Sequence, residues 1–202
     1  MPYLLRVELP DVRGSLGRVA TAIGMAGGDI EAIEIVEKRD AVALDDVLLE
    51  VAEGTMPDSI VSACSAIDGV KVVWISRYPA GGNLTLDLEA VEELTAAPKD
   101  ALDRLVELLP RTFRADWAAR VQRAKGVVHG TSAAPDEFDF VDLEGPSRLE
   151  PETDDDVTLY AAARLDGNQI VVIGRRGGPE FVDSEIARLG HLSGLAVTIA
   201  GA

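Results

Sequence analysis

The feature that most constrains this chain is a strand that runs through a glycine turn straight into a helix. Residues 3–9 alternate apolar and charged side chains, which predicts a half-buried strand. The turn that follows contains Asp11 and Gly14, and apolar residues then recur at helical spacing from Leu16. A helix that starts this way presents backbone N–H groups without partners, which suits a carboxylate or another anion.

The same alternation of strands and helices continues to residue 78. Ser15 is the predicted N-cap of the first helix, and Gly27 and Gly28 are its stop. Thr55 and Asp58 have capping-box spacing at the start of the second helix, and Pro57 fits its first turn. Further strands are predicted at residues 29–38, 47–51 and 70–77.

This order, βαββαβ, predicts an α+β fold of the ferredoxin-like kind, in which an antiparallel four-stranded sheet carries both helices on one face. The other face then needs a cover from another sheet, another domain or a second copy of the chain. Pairing of two chains is the simplest of these solutions, so we expect a homodimer.

Residues 3–78 resemble an ACT domain, a regulatory module that binds amino acids. The resemblance rests on the D-x-x-G-x-L turn at residues 11–16 and on the glycine, polar residue and isoleucine at residues 28–30. It departs from the family at Arg13, where proline is common, and at Asp29, where asparagine is common. It implies a ligand site formed by the turn of one copy and residues 28–30 of another. The candidate ligand-binding residues are Asp11, Val12, Arg13, Gly14, Ser15, Leu16, Gly28, Asp29 and Ile30.

The residue types suggest how such a site would work. Asp11 or Asp29 could accept hydrogen bonds from a ligand's amino group, and the N–H groups of Gly14, Ser15 and Leu16 could donate to its carboxylate. The alternative is a plain loop, in which Ser15 caps the helix and nothing binds. Gly27 and Gly28 are explained equally well by a helix stop.

Three regions are expected: residues 1–79 as the ACT-like domain, 80–125 as a linker and helical connector, and 126–202 as an α/β module. The helices of the connector could instead be the opening helices of a second domain. The connector has predicted helices around residues 88–94 and 102–109, the latter stopped before Pro110, and a third marked by Phe113, Trp117 and Val121. The module has a predicted hairpin at 157–175 and a terminal helix that gives way to a strand or helix tail at 195–200. Its residues 171–175 and Pro179-Glu180-Phe181 resemble the end of a GAF-like domain, and the resemblance implies a truncated domain because the earlier strands of that family are scarce here. The acidic residues 136–156 are predicted to be exposed or flexible.

Composition limits the partners that this chain can have. A net charge of −16 argues against binding to nucleic acid or to anionic lipid. The local basic group, Arg111, Arg114, Arg120, Arg123 and Lys125, is predicted to be a solvated helix face. No apolar run approaches the length of a membrane span, the N-terminus lacks the features of a signal peptide, and Cys64 is alone. We therefore expect a cytoplasmic protein with no cofactor and no metal.

No motif in the sequence predicts catalysis. His129 and His191 lack metal-ligand spacing, and Asp154, Asp155 and Asp156 lack an EF-hand pattern. The turn from Arg175 to Gly178 could hold an anion but is not a phosphate loop. The sequence predicts a regulatory sensor of an amino acid or similar metabolite, whose second module passes the signal to a protein partner. A dimerisation scaffold that binds no ligand and an enzyme with a site in the C-terminal module are the alternatives.

Overall fold

The structure is a computed structural model that describes residues 2–52, 54–77, 83–150 and 157–201. The chain divides into two compact units, residues 1–82 and 83–202. The described residues form a mixed α+β protein with two antiparallel sheets and five α-helices. The start of the predicted linker, residues 80–82, and the acidic residues 154–156 lie outside the described ranges.

The first unit has the predicted order of elements, and its four strands form one antiparallel sheet in the order β2-β3-β1-β4. Strands β2 and β4 are therefore its edges. The elements are β1 (Pro2–Pro10), α1 (Ser15–Met25), β2 (Gly28–Arg39), β3 (Val42–Val51), α2 (Pro57–Ser65) and β4 (Lys71–Arg77).

The core of the first unit lies between the two helices and one face of the sheet. Leu5, Val7 and Leu9 of β1 pack in the same buried cluster as Val19 of α1 and Cys64 of α2. Cys64 is fully buried, as predicted for the inward face of its helix, and burial raises the pKa of its thiol. The alternation of β1 therefore determines which face of the sheet the helices cover.

Two predicted helix caps are wrong. Gly14, in the left-handed conformation with φ 90°, is the N-cap of α1, and Ser15 is the first helical residue. Met56 is the N-cap of α2 and no capping box forms at Thr55, although Pro57 does occupy the first turn. The predicted stop of α1 is confirmed, because Gly27 follows the C-cap Ala26 with φ 87°.

The second unit has five strands in the order β6-β5-β9-β8-β7, and every neighbouring pair is antiparallel. Its helices pack on one face of this sheet in a single apolar cluster that includes Leu94, Leu105, Phe113 and Leu189. The elements are α3 (Asn83–Ala96), a 3₁₀ turn (Pro98–Asp100), α4 (Ala101–Phe113), β5 (Trp117–Gln122), β6 (Gly126–Gly130), β7 (Ser147–Leu149), β8 (Thr158–Arg164), β9 (Gln169–Arg176) and α5 (Asp183–Ala200).

The structure corrects the prediction for residues 83–125. Helices α3 and α4 belong to the core of the second unit, so they are not a connector. Helix α4 continues through Pro110 and ends at Phe113, and its C-cap is Arg114, whose φ is 50°. The predicted third helix is strand β5, buried on both faces, so its apolar residues do not show the period of two expected of a half-exposed strand. The prediction of a hairpin at β8 and β9 is correct, and residues 195–200 are a helix tail.

The sheet face away from the helices is covered by residues 131–146, which we call the strap. Its Phe138 packs between Trp117 and Tyr160, with ring centroids 5.7–6.0 Å apart. Asp142 of the strap accepts hydrogen bonds from Arg123 (2.9 Å) and Arg164 (3.1 Å), and the bond from Arg123 is the main reason why its pKa is lowered. The described part of the segment predicted to be exposed or flexible is thus held against the sheet by these contacts.

The contact between Trp117 and Gly174 offers a test of this packing. A Cβ at Gly174 would lie 2.2 Å from the indole ring, whereas one at Gly167, in the β8–β9 turn, would meet nothing within 4 Å. We expect Gly174→Ala to lower the free energy of unfolding by about 1–3 kcal/mol, because the buried indole must shift. Gly167→Ala should change it by less than about 0.5 kcal/mol. Urea denaturation followed by circular dichroism measures both, and equal stability of the two variants would contradict the packing.

Candidate functional site

The β1–α1 turn, residues 11–16, is the main candidate site. The N–H of Asp11 donates to Ala41 O at 2.7 Å, which fixes the turn to the loop between β2 and β3. The side chains of Asp11, Val12 and Arg13 are exposed, and Ser15 is buried. The predicted residues therefore lie together at one end of the sheet, with their backbone partly held by internal hydrogen bonds.

The set of N–H donors differs from the predicted one. The N–H of Ser15 donates to Val12 O at 3.2 Å, so it is already used within the turn. Because Gly14 is the N-cap, the N–H groups of the first helical turn are those of Ser15, Leu16 and Gly17. The donors at the helix start that remain for an anion belong to Leu16 and Gly17, with Arg13 and Arg18 nearby as cations.

A shallow, open cavity of about 410 Å³ lies along α1 and begins at this turn. Nothing lies within 4 Å of a Cβ built at Gly14 or Gly17, so a ligand can approach the backbone here. The guanidinium of Arg18 contacts Ser15 Oγ at 3.4 Å. The lining residues are Gly14, Gly17, Arg18, Thr21, Ala22 and Met25.

The second predicted segment, residues 28–30, lies at the other end of the sheet. Asp29 pairs in register with Glu50 at the end of β3, whereas Asp11 bonds to Ala41 just before β3 begins. Along a strand this separation is roughly 25–30 Å. Within one chain, therefore, Asp29 and Asp11 cannot contact the same small ligand. Gly28 is needed for packing, since a Cβ there would lie 2.6 Å from Ile23.

A carboxylate that was not predicted lies on the same end of the sheet as the turn. Asp45 of β3 is 1% exposed, on the helix-covered face between Val7 and Ile35 of the neighbouring strands. Its Oδ1 is buried and accepts no hydrogen bond. Desolvation is the main cause that raises the pKa of Asp45; the charge of Lys38 opposes this rise, and the charges of Asp11 and Asp46 add to it.

The remaining predicted motifs have partners within the second unit. Arg175 is buried and donates to Glu185 and to the carbonyl of Phe113, both at 2.7 Å, so it is not available to an anion. His129 contacts Glu107 at 2.9 Å, and His191 is exposed on α5. The basic residues between Arg111 and Lys125 do not share one helix face, because they lie on α4, on β5 and in the loops that follow these elements. The ion pairs among them include Arg111 with Glu89, Arg120 with Asp103 and Arg123 with Asp142.

Sequence reasoning missed Arg18, Lys38 and Asp45. Arg18 follows Gly14 by four residues, so helical spacing could have placed it beside the turn. The signal for Asp45 was its neighbour Asp46: two consecutive acids in a strand must face opposite sides of the sheet, and one of them must face the helices. Only the pairing register places Lys38 beside Asp45.

No helix within the described ranges is long and apolar enough to cross a membrane. Across these same residues, no group of three or more histidine, cysteine, aspartate or glutamate side chains is placed to hold a metal ion.

Comparison with known proteins gives short matches. No family model matches the chain. A stretch of 73 residues is 34% identical to NAD-dependent malic enzyme 1 of Bacillus subtilis (strain 168), covering 36% of this chain and 17% of the enzyme. A stretch of 105 residues is 26% identical to the NAD-dependent malic enzyme of Geobacillus stearothermophilus, covering 52% of this chain and 22% of the enzyme. The chain thus spans about a fifth of the length of these relatives.

Two solved structures are similar at low TM-scores. A formyltetrahydrofolate deformylase from Pseudomonas putida KT2440 has a TM-score of 0.32 and 9% identity, over 46% of this chain and 38% of that chain. An unknown protein from Galdieria sulphuraria has a TM-score of 0.34 and 12% identity, over 87% of this chain and 79% of that chain. Neither score is high enough to assign a shared fold.

The burial of Asp45 leads to a pH-dependent prediction. Because the pKa of Asp45 is raised in the folded state, the folded chain binds more protons than the unfolded chain between the ordinary value of 3.8 and the folded pKa. The contribution of Asp45 to the free energy of unfolding therefore falls as pH rises through this window and stays low above it. We expect Asp45→Asn to be more stable than the wild type at pH 7 and to lose this advantage towards pH 3.8.

Urea denaturation of both proteins between pH 3.5 and pH 8 measures the effect. Asp29→Asn is the control, because Asp29 is exposed and at the other end of the sheet. A stability difference between Asp45→Asn and the wild type that stays constant with pH would show that burial of Asp45 does not perturb its titration.

Proposed function

We propose that the first unit is a ferredoxin-like, ACT-type sensor that binds an amino acid or a similar small zwitterion at the β1–α1 turn. The observation that carries this proposal is the exposed helix start, where Gly14 is a left-handed N-cap and the cavity along α1 begins. The N–H groups of Leu16 and Gly17 can bind a carboxylate there, with Arg13 and Arg18 adding positive charge. Binding then favours one arrangement of a pair of chains over another.

The matches to malic enzymes fit a module of this kind. The shared stretch covers 17% of the Bacillus subtilis enzyme, which is far too little for its whole catalytic apparatus. A short stretch shared with a much longer enzyme favours a module that is used in more than one context. Catalysis by the second unit is less well supported, because Arg175 and His129 are engaged with neighbouring groups.

Two glycines of α1 allow a matched test of the site. A Cβ at Gly17 or at Gly24 would meet nothing within 4 Å, but only Gly17 lines the cavity. Gly17→Leu and Gly24→Leu should each stabilise the free protein by about 0.5–1 kcal/mol, because leucine favours the helix over glycine. In a thermal-shift screen against the common amino acids, the wild type and Gly24→Leu should show the same selective rise, and Gly17→Leu should lose it.

At a ligand concentration of about a hundred times the dissociation constant, binding adds about 2.7 kcal/mol to the free energy of unfolding. This raises the thermal midpoint by roughly 5–10 °C. A flat screen of the wild-type protein, with the chain still dimeric, would favour the dimerisation scaffold instead. If the amino acid raised the thermal midpoint of both leucine variants equally, the ligand site would not lie in the cavity along α1.

We further propose that two chains pair to form the sensor. Strand β2 is an edge strand of twelve residues whose side chains are mostly exposed. Ile33 and Ile35 on it are 36% and 50% exposed, and an exposed apolar edge of this length is suited to pairing with another strand. Pairing would also bring residues 28–30 of one chain towards the turn of another. We propose that the second unit passes the state of the pair to a protein partner.

The pairing has its own test. Ile33 on β2 and Val73 on β4, the other edge strand, are 36% and 39% exposed, so a lysine at either position has a similar cost in the monomer. We expect Ile33→Lys to shift the wild-type dimer to monomer in sedimentation velocity, because it places a charge in the interface. Val73→Lys should leave the dimer intact. A monomeric wild type, or a dimer that Ile33→Lys does not weaken, would contradict pairing through β2.

A further inference from the structure

Two consecutive acids on β3 have opposite environments. Asp46 points away from the helices, and its carboxylate accepts two hydrogen bonds from Arg6, at 2.7 and 2.9 Å, with both side chains about 2% exposed. Asp45 points towards the helices, is equally buried, and has no such partner among the described residues. Among the described residues, Asp46 thus has a hydrogen-bonded counterion, whereas no side chain donates a hydrogen bond to Asp45 Oδ1.

The cation that acts on Asp45 is already engaged. Lys38 lies on the same face of the sheet, since it pairs with Ala43, two residues along β3 from Asp45. Its ammonium is 2.8 Å from Asp11 Oδ1, and this ion pair is half exposed to solvent. Lys38 therefore reduces the local negative charge without donating a hydrogen bond to Asp45.

A buried carboxylate without donors is unfavourable unless it is protonated or meets a donor from outside the chain. A primary ammonium provides positive charge and three N–H donors on a small group. Asp45 pairs in register with Ile35 of the edge strand, which is half exposed, so a single strand separates the carboxylate from the edge of the sheet. The nearby Asp11 adds negative charge that attracts a cation.

We propose that Asp45 is a binding site for a primary ammonium group, and that in the sensor it receives an amino group of the ligand. The second part of this proposal rests on the proposed function, and the first part does not. Asp45 then replaces Asp11 and Asp29 as the main acceptor, because those two carboxylates are exposed and Asp11 is already paired with Lys38. When the ammonium group binds, Asp45 releases its proton if it was protonated. The carboxylate then accepts a charge-assisted hydrogen bond from the ammonium.

The test uses methylammonium chloride as the probe, with tetramethylammonium chloride at the same ionic strength as the control that carries charge but no N–H donors. We expect methylammonium to raise the thermal midpoint of the wild-type full chain by about 2–4 °C over the control salt at saturation. Asp45→Asn, which keeps the shape of the side chain but removes its charge, should abolish this difference. Asp58→Asn, at an exposed position in the first turn of α2, should retain it.

Whereas Asp45→Asn should abolish binding of methylammonium, Lys38→Gln should strengthen it. Loss of the lysine frees Asp11 and leaves the local charge more negative, so the apparent affinity for methylammonium should rise. The wild type and all three variants are compared by circular dichroism at 25 °C first, so that only folded proteins enter the comparison. If methylammonium and tetramethylammonium act alike on the wild type, or if Asp45→Asn responds as the wild type does, the site at Asp45 is excluded.

The amino-acid screen separates this proposal from the proposed function. If an amino acid stabilises the wild type and Asp45→Asn weakens its binding about tenfold or more, as expected for loss of a charged hydrogen bond, both proposals are supported. If the amino acid binds Asp45→Asn as tightly as the wild type, the sensor stands and the role of Asp45 in it is overturned. If no amino acid acts but methylammonium still requires Asp45, the ammonium site stands and the sensor fails.

Discussion

Within each unit the unit's own helices cover one face of its sheet, and the residues on the opposite face determine much of the remaining structure. In the second unit the strap covers that face, and Trp117 packs there so closely against Gly174 that no side chain fits between them. In the first unit the same face carries the buried pair of Arg6 and Asp46. A bidentate pair of this kind satisfies two charges at once, so breaking it by removing one partner would be costly.

The candidate site follows from how the first sheet ends. Strand β1 leaves the sheet at Pro10, and Gly14 takes a left-handed conformation that starts α1 with its first N–H groups towards solvent. Asp45 of β3 lies at the same end of the sheet, on the face that the helices cover, and its buried Oδ1 accepts no hydrogen bond. Donors for an anion and an acceptor for a cation are thus found at one end of a single unit. The proposed binding of a small zwitterion depends on both of these groups, because a zwitterion carries both charges.

Prediction from sequence succeeded where the pattern was local. The alternation in β1, the spacing of Val19 and Ile23, and the glycine stop at Gly27 are properties of neighbouring residues, and each was found as expected. It failed at β5, because Trp117 and Val121 of this strand follow Phe113 of α4 at helical spacing. Arg114 ends the preceding helix in a left-handed conformation, and the following strand is buried on both faces, so no alternation of polar and apolar residues distinguishes it from a helix.

The sequence by itself determined the order of elements in the first unit, the position of the turn at residues 11–16, and the inward face of each helix, because short-range periodicity and turn chemistry encode them. Tertiary structure alone decided the strand register. That register separates Asp29 from Asp11 by most of a strand's length, pairs Arg6 with Asp46, and leaves Asp45 beside Lys38 but without its hydrogen bond. A strand shows which residues share a face, but its sequence does not show which residues of another strand lie opposite them.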